Sequence, residues 1–288
     1  PGRIAVWKGT PSKRYYHACT FFTDHASNKV HITLNYSTGA EEAVASKHRF
    51  EKMASENGVL IKKYRGDNGV YATYPFKSSC EVLNQAQDFS GVGAKHQNGV
   101  AERMIGTITR RARTMLLHAT ILWPEIITED LWPFALKMAV DVHNATPNSS
   151  GLSPDEIFSG HKTTRCRLKD FHPFGCPVFV LEASLQNGHK IPKWKPRSRM
   201  GVYLGHSPDH ATTVPLVLNT TTGLVSPQFH MVFDDCFTTT KSLQTDQLPK
   251  NWPALFKHSE VNLLDPDQEQ HHKLDASWHP PSDPPTSS

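Results

Sequence analysis

The sequence predicts an α/β domain followed by a small all-β unit. Three observations predict it: a strand–strand–helix–strand order over the first third, long amphipathic helices after it, and short β-rich pieces from about residue 172. Residues 15–23 (YYHACTFFT) and 29–35 (KVHITLN) read as strands around a turn at Asp24–Asn28. Over 41–56 a helix would carry Ala43, Val44, Phe50, Met53 and Ala54 on one side, and Asn57-Gly58 would end it as a left-handed cap. Val59–Tyr64 then reads as a strand, expected to lie parallel to one of the first two. It leads into the turn Arg65-Gly66-Asp67-Asn68-Gly69.

A long helix is expected from Asn98-Gly99 to about His118, with Val100, Met104, Ile108, Ala112 and Met115 recurring every three to four residues. A second, over 129–144, opens on Glu129-Asp130 at its dipole-positive end. Its Trp132, Ala135, Leu136, Ala139, Val140 and His143 form a core face. After Pro147-Asn148-Ser149-Ser150-Gly151 the texture changes. Val178–Leu181, Gly201–Leu204, Val214–Leu218, Leu224-Val225 and His230–Phe233 fall at intervals that suit a small β-barrel. From about 241 prolines multiply, and a disordered tail is expected there. The expected organisation is therefore 1–160, 161–240 and 241–288.

A length of 288 residues suits about two domains, and 38% hydrophobic with 20% charged residues excludes global disorder. No apolar run approaches the roughly 18 residues of a membrane span, so no membrane partner is expected. No secretory leader opens the chain, and a start at Pro1 reads as the interior of something longer. The net charge of +4 is uneven: residues 241–288 hold four Lys against seven acidic residues, so the excess lies in the body. A basic body points weakly to a polyanion. Cys19, Cys80, Cys166, Cys176 and Cys236 are odd in number and form no CxxC pair, which argues for reduced intracellular thiols over a disulfide framework or a zinc knuckle.

Two carboxylates stand out by position. Asp67 sits just past a strand, at the sheet edge where α/β folds bind ligands. Glu102 falls in the first turn of the long helix, where the dipole favours the ionised carboxylate that a hard cation requires. Each also has a purely local reading, as a turn Asp and a helix-start Glu. If they share a metal site, their carboxyl groups should lie within about 10 Å.

Two basic stretches could meet nucleic acid. Arg103, Arg110, Arg111 and Arg113 give the long helix a cationic side, which could equally be a solvated face. Residues 190–199 place Lys190, Lys193, Lys195, Arg197 and Arg199 around Trp194 with no acid among them. The cations suit phosphates and the indole suits a base or sugar, although a Trp there could instead cap the barrel core.

The motifs around these residues carry a family resemblance. Tyr64-Arg65-Gly66-Asp67-Asn68-Gly69, followed by Lys95-His96-Gln97-Asn98-Gly99-Val100-Ala101-Glu102-Arg103, resembles the second and third acidic motifs of integrases, and more narrowly those of copia-type long-terminal-repeat retrotransposons. The resemblance continues through Leu131-Trp132-Pro133, His143-Asn144-Ala145-Thr146-Pro147 and Ser153-Pro154-Asp155-Glu156-Ile157-Phe158. It ends in Phe174-Gly175-Cys176-Pro177, Gly201-Val202-Tyr203-Leu204-Gly205 and Val232-Phe233-Asp234-Asp235.

That resemblance implies a ribonuclease-H-like α/β core, a mixed sheet with flanking helices, followed by an SH3-like barrel. It further implies joining of element DNA to host DNA with Mg²⁺ or Mn²⁺, a homo-oligomer, and work in the nucleus. Asp67 and Glu102 match the second and third catalytic, metal-holding acids. Lys95, Asn98, Arg103 and Arg110 fall where the family's helix meets DNA, and Lys193, Trp194, Lys195, Arg197 and Arg199 are the second DNA-binding group. Two departures bear on activity. The family's first acid lies on an opening strand upstream of the Tyr-rich strand, and residues 1–16 contain no Asp or Glu. Asp24 comes next but matches a turn, so it is a poor substitute. The zinc-binding His/Cys segment that usually precedes the core is also missing, so the chain reads as a polyprotein fragment, active or a non-catalytic DNA-binding remnant.

Overall fold

The computed structural model describes residues 15–67, 69–89, 98–162, 167–211 and 214–240. Lys95, Cys166 and the Pro-rich stretch from 241 lie outside the described residues.

Strands β1 (Ala18–Thr23) and β2 (Val30–Asn35) form an antiparallel hairpin in the register Ala18 to Asn35, as the alternation predicts. Asn28 takes the positive φ of 59° in its turn, a conformation Asn tolerates well. Helix α1 (Ala40–Glu56) follows. It ends where Asn57-Gly58 predicted: Gly58 has φ 73° and the Val59 N–H donates back to the Ala54 carbonyl at 2.9 Å. That return bond holds Val59 against the helix end. The expected strand Val59–Tyr64 therefore begins later and is shorter, as β3 (Lys63–Gly66).

β3 pairs in parallel with β4 (Ala86–Phe89), across helix α2 (Tyr74–Val82), and not with β1 or β2 among the described residues. The expected mixed sheet is thus two separate two-stranded sheets there. Neither α2 nor β4 was read from the sequence. Pro75 at the start of α2 and the weak pattern AQDF in β4 hide both. Helix α1 spans the gap between the sheets. Phe50 stacks on Phe22 of β1 at 4.7 Å between centroids, and Glu51 accepts a hydrogen bond from the Tyr64 hydroxyl of β3 at 3.0 Å. Glu51 also takes the fully buried Lys47 ammonium at 2.8 Å and the Gln85 amide at 2.6 Å. One carboxylate thereby ties the entries of β3 and β4 to α1, and its partners satisfy a lysine that burial would otherwise penalise heavily.

Helix α3 (Gly99–Leu122) buries Ile108, Ala112, Leu116 and Ala119, one turn longer than expected. A 3₁₀ turn at Glu129–Leu131 precedes α4 (Trp132–Ala145), so the helix proper starts at Trp132 rather than Glu129. The end of α4 grips the hairpin. Asn144 mimics a paired strand: its Nδ2 donates to the Val30 carbonyl at 2.8 Å and its Oδ1 accepts the Val30 N–H at 2.9 Å, both buried. Helix α5 (Pro154–Ser159) carries a full capping box between Ser153 and Glu156, and its Asp155 pairs with Lys29 beside the hairpin turn. The motifs at 143–147 and 153–158 are therefore joints between α4, α5 and the hairpin.

The remaining strands are β5 (Pro177–Leu181), β6 (Ser198–His206), β7 (Pro215–Asn219), β8 (Val225–Pro227) and β9 (Met231–Phe233), with helix α6 (Ala183–Gln186) after β5. All five expected pieces are strands, paired antiparallel in the order β8-β7-β6-β5-β9. The expected barrel does not close among the described residues: β8 and β9 are edges, and three-residue strands are too short to curl a sheet onto itself. One apolar core runs from Val30, Leu116 and Ala139 to Val178 and Tyr203, so the sheet packs directly on α3 and α4. Gly175 (φ 79°) marks the contact. A Cβ there would lie 2.5 Å from the Ala119 Cβ.

Candidate active site

Asp67 directly follows β3, exposed, with its Oδ1 accepting the Gly69 N–H at 3.2 Å in a tight turn. A side chain on Gly69 would press on that carboxylate: its Cβ would stand 3.2 Å from Oδ1. Beside it Tyr71 is half-buried. Burial first, and then the Asp67 charge, raise the phenol above its usual range, while a hydrogen bond with Thr20 of β1 opposes the shift. Tyr71 therefore stays neutral and links the two small sheets beside Asp67.

Glu102 lies in the first turn of α3, half-buried, where the helix dipole favours its charge. Asp67 and Glu102 line the same cavity of about 1400 Å³, together with Asn98, Arg103 and Arg113. The spacing thus brings both carboxylates to one concave surface. Asn98 precedes α3 without using its side chain as a cap. Arg103 and Arg110 are exposed along the helix, and Arg110 does not line the cavity.

Asp24 also borders the cavity, but its carboxylate is committed elsewhere. Oδ2 accepts the Ser27 N–H at 2.8 Å and the Ser27 hydroxyl at 2.6 Å, closing the hairpin turn. Among the described residues no three His, Cys, Asp or Glu side chains gather as a metal would need. Two carboxylates suit at most one Mg²⁺ that keeps most of its waters; they do not suffice for a pair of ions.

The second cationic group lies away from this cavity, in the segment between α6 and β6. Lys193, Trp194, Lys195 and Arg197 are exposed and Arg199 is half-buried in β6. Trp194 is 90% exposed, so it does not cap a core. Sequence reasoning missed Tyr71 and Gly69 as neighbours of Asp67. The Gly-rich turn was the available signal for the second.

No family model matches the chain. It is similar to a retrotransposon polyprotein. Over 163 residues it is 28% identical to the Retrovirus-related Pol polyprotein from transposon TNT 1-94 of Nicotiana tabacum, covering 55% of this chain and 11% of that protein. The chain thus spans about a tenth of the length of this curated relative. The comparison agrees with the resemblance drawn from the motifs. Solved structures similar to it include the HTLV-2 integrase catalytic core domain in complex with magnesium (TM-score 0.38, 19% identity, 51% of this chain and 88% of that one). Another is the simian T-cell lymphotropic virus intasome in complex with PP2A regulatory subunit B56 gamma (TM-score 0.39, 16% identity, 85% and 84%). A third is the catalytic core domain of BIV integrase (TM-score 0.37, 17% identity, 49% and 84%).

Proposed function

We propose that this chain is part of an integrase of a copia-type retrotransposon, with a ribonuclease-H-like core that handles DNA ends. The observation that carries the reading is the meeting of Asp67 and Glu102 on one cavity, inside the two motifs that resemble the family's acidic ones. Their carboxylates would hold a Mg²⁺ or Mn²⁺ ion, which supplies Lewis-acid stabilisation of a phosphodiester's developing charge. Asn98 and Arg103, at the start of α3, would place a DNA backbone along the mouth of the cavity, and Arg110, two turns further along the helix, would extend the contact beyond it. On this reading the protein would work in the nucleus, where host DNA lies, and as a homo-oligomer, as the family resemblance implies.

A second reading, a DNA-binding remnant without chemistry, is favoured by the turn that occupies Asp24. Strand transfer by two metals needs an oxygen ligand between the ions. Asp24 is bound to Ser27 and Asp88 to Lys63, and among the described residues no third acid gathers with Asp67 and Glu102. The test incubates the purified chain with a pre-cut element end, a target plasmid and Mn²⁺. The expected outcome is no joined product. Product that vanishes in the Glu102→Gln protein would reject the remnant reading and make Asp24 the next residue to replace.

A further inference from the structure

The segment between α6 and β6 differs from ordinary basic surface in what stands at its centre. Trp194 is the most exposed of the large apolar side chains, at 90%, so almost its whole indole meets solvent. An indole left bare in this way forgoes the burial that usually places Trp in cores. The Lys193 ammonium lies 5.6 Å from its ring centroid, over the ring. Lys190, Lys195 and Arg197 flank it in sequence, all exposed, and none of these cations forms an ion pair with an acid among the described residues.

The backbone holds this arrangement from both ends. The Glu182 N–H donates to the Arg197 carbonyl at 2.9 Å, tying the end of the segment to the start of α6. The Lys195 N–H donates to the Pro192 carbonyl at 3.0 Å, closing a turn that has Trp194 inside it. Pro192 and Pro196 further restrict the backbone on either side. The indole and its cations are thus presented by a short, tied loop, which lowers the ordering cost of binding.

We propose that this loop is a binding site for single-stranded DNA, with Trp194 stacking on an unpaired base while Lys193, Lys195 and Arg197 contact the flanking phosphates. The chemistry favours a single strand over a duplex. In a duplex the base faces are already stacked on one another and an indole has no face to cover. An unpaired nucleotide offers a π-face and phosphates on each side of it, which matches one bare ring between cations. No sequence preference is built in, because every base has such a face. Strand ends and frayed junctions are the DNA segments of that kind. The inference takes its choice of ligand from the DNA-handling reading but uses neither Asp67 nor Glu102.

The experiment measures binding of the full chain to a twelve-nucleotide oligo-dT and to a twelve-base-pair duplex, by anisotropy across a salt series. Trp194→Ala should weaken oligo-dT binding about tenfold and leave duplex binding within twofold, while Trp194→Phe should keep most of the affinity. Replacing Lys193, Lys195 and Arg197 together by Ala should flatten the slope of log affinity against log salt by up to about 2.1 for the single strand. Oligo-dT should also quench a part of the tryptophan fluorescence that the Trp194→Phe protein lacks. Equal losses on single strand and duplex, or no loss with Trp194→Ala, would overturn the proposal. So would the same quenching by anionic lipid vesicles with none by oligo-dT. Glu102→Gln should bind oligo-dT like the parent, so failure here and failure of the integrase reading are separate results.

Discussion

The hairpin half and the five-stranded sheet solve the same packing problem to different degrees. In β5 to β9 every strand has a partner and the interior is tight. A Cβ on Gly201 would sit 2.4 Å from Val217 Cγ1, and Tyr203 is fully buried. In the α/β half two two-stranded sheets face one cavity, with Phe22 of β1 and Lys63–Gly66 of β3 among its walls. The difference locates the cavity. A densely packed sheet gives stiffness but no room, whereas the α/β half leaves concave space that Asp67 and Glu102 both line.

The largest expected effect tests that contrast directly. Tyr203→Ala should cost about 4 kcal/mol, since its neighbours on both sides are packed and cannot collapse into the hole. Phe22→Ala should cost about half as much. Its ring already borders open space, and removal enlarges an existing cavity rather than creating one. Urea unfolding of both variants decides it. Equal losses would mean that the cavity does not soften the α/β half.

How much of this was legible in the sequence follows the same division. The five strands of the C-terminal sheet were all found, because buried strands such as PVFVL carry continuous apolar runs bounded by turns. The expected closure into a barrel does not occur among the described residues, since strand spacing carries no information on whether the distant edges β8 and β9 pair. In the α/β half the hairpin, α1, α3 and α4 were readable from period and caps. β3 was misplaced because the Val59 N–H is taken by the end of α1, and β4 is short and half polar. The two acids were readable only with the family's motifs beside them. The use of Asp24 by Ser27 was legible as a turn, and that is what the structure adds in distances. What the motifs at 143–147 and 153–158 do could not be read, because Asn144 and Asp155 act on residues more than a hundred positions away.

A smaller effect should place acid sensitivity in the hairpin half. His31 of β2 lies against Phe22 and Phe50, and its buried Nε2 has no hydrogen-bond partner among the described residues. Burial, with Lys29 and Lys137 adding to it, lowers the imidazole to about 4 from 6.5. The unfolded chain therefore binds a proton that the folded one refuses between those values, so stability falls as pH drops through that window and is complete above it. Between pH 7 and pH 4 the loss attributable to His31 should be about 3 kcal/mol. His31→Phe, which keeps the ring contacts and removes the proton site, should flatten the stability curve there by that amount. A curve unchanged by the substitution would mean that another group sets the acid limit.

The smallest effect concerns the joint between the hairpin and the rest. Ser153 caps α5 with its hydroxyl, which accepts the Glu156 N–H at 3.3 Å, while the Glu156 carboxylate accepts the Ser153 N–H at 2.9 Å. That pair fixes the helix start, and with it the position of Asp155 opposite Lys29. Ser153→Ala should cost about 1 kcal/mol, in the range of other cap losses. Where the cost appears matters more than its size. Because α5 leans on the Asp24–Lys29 turn, amide exchange should quicken at Ser27 and Asn28. Val178, Val202 and Val217, inside the five-stranded sheet, should exchange as before. A uniform rise across both regions would show that the two halves open as one cooperative unit, and that their difference in packing has no counterpart in local stability.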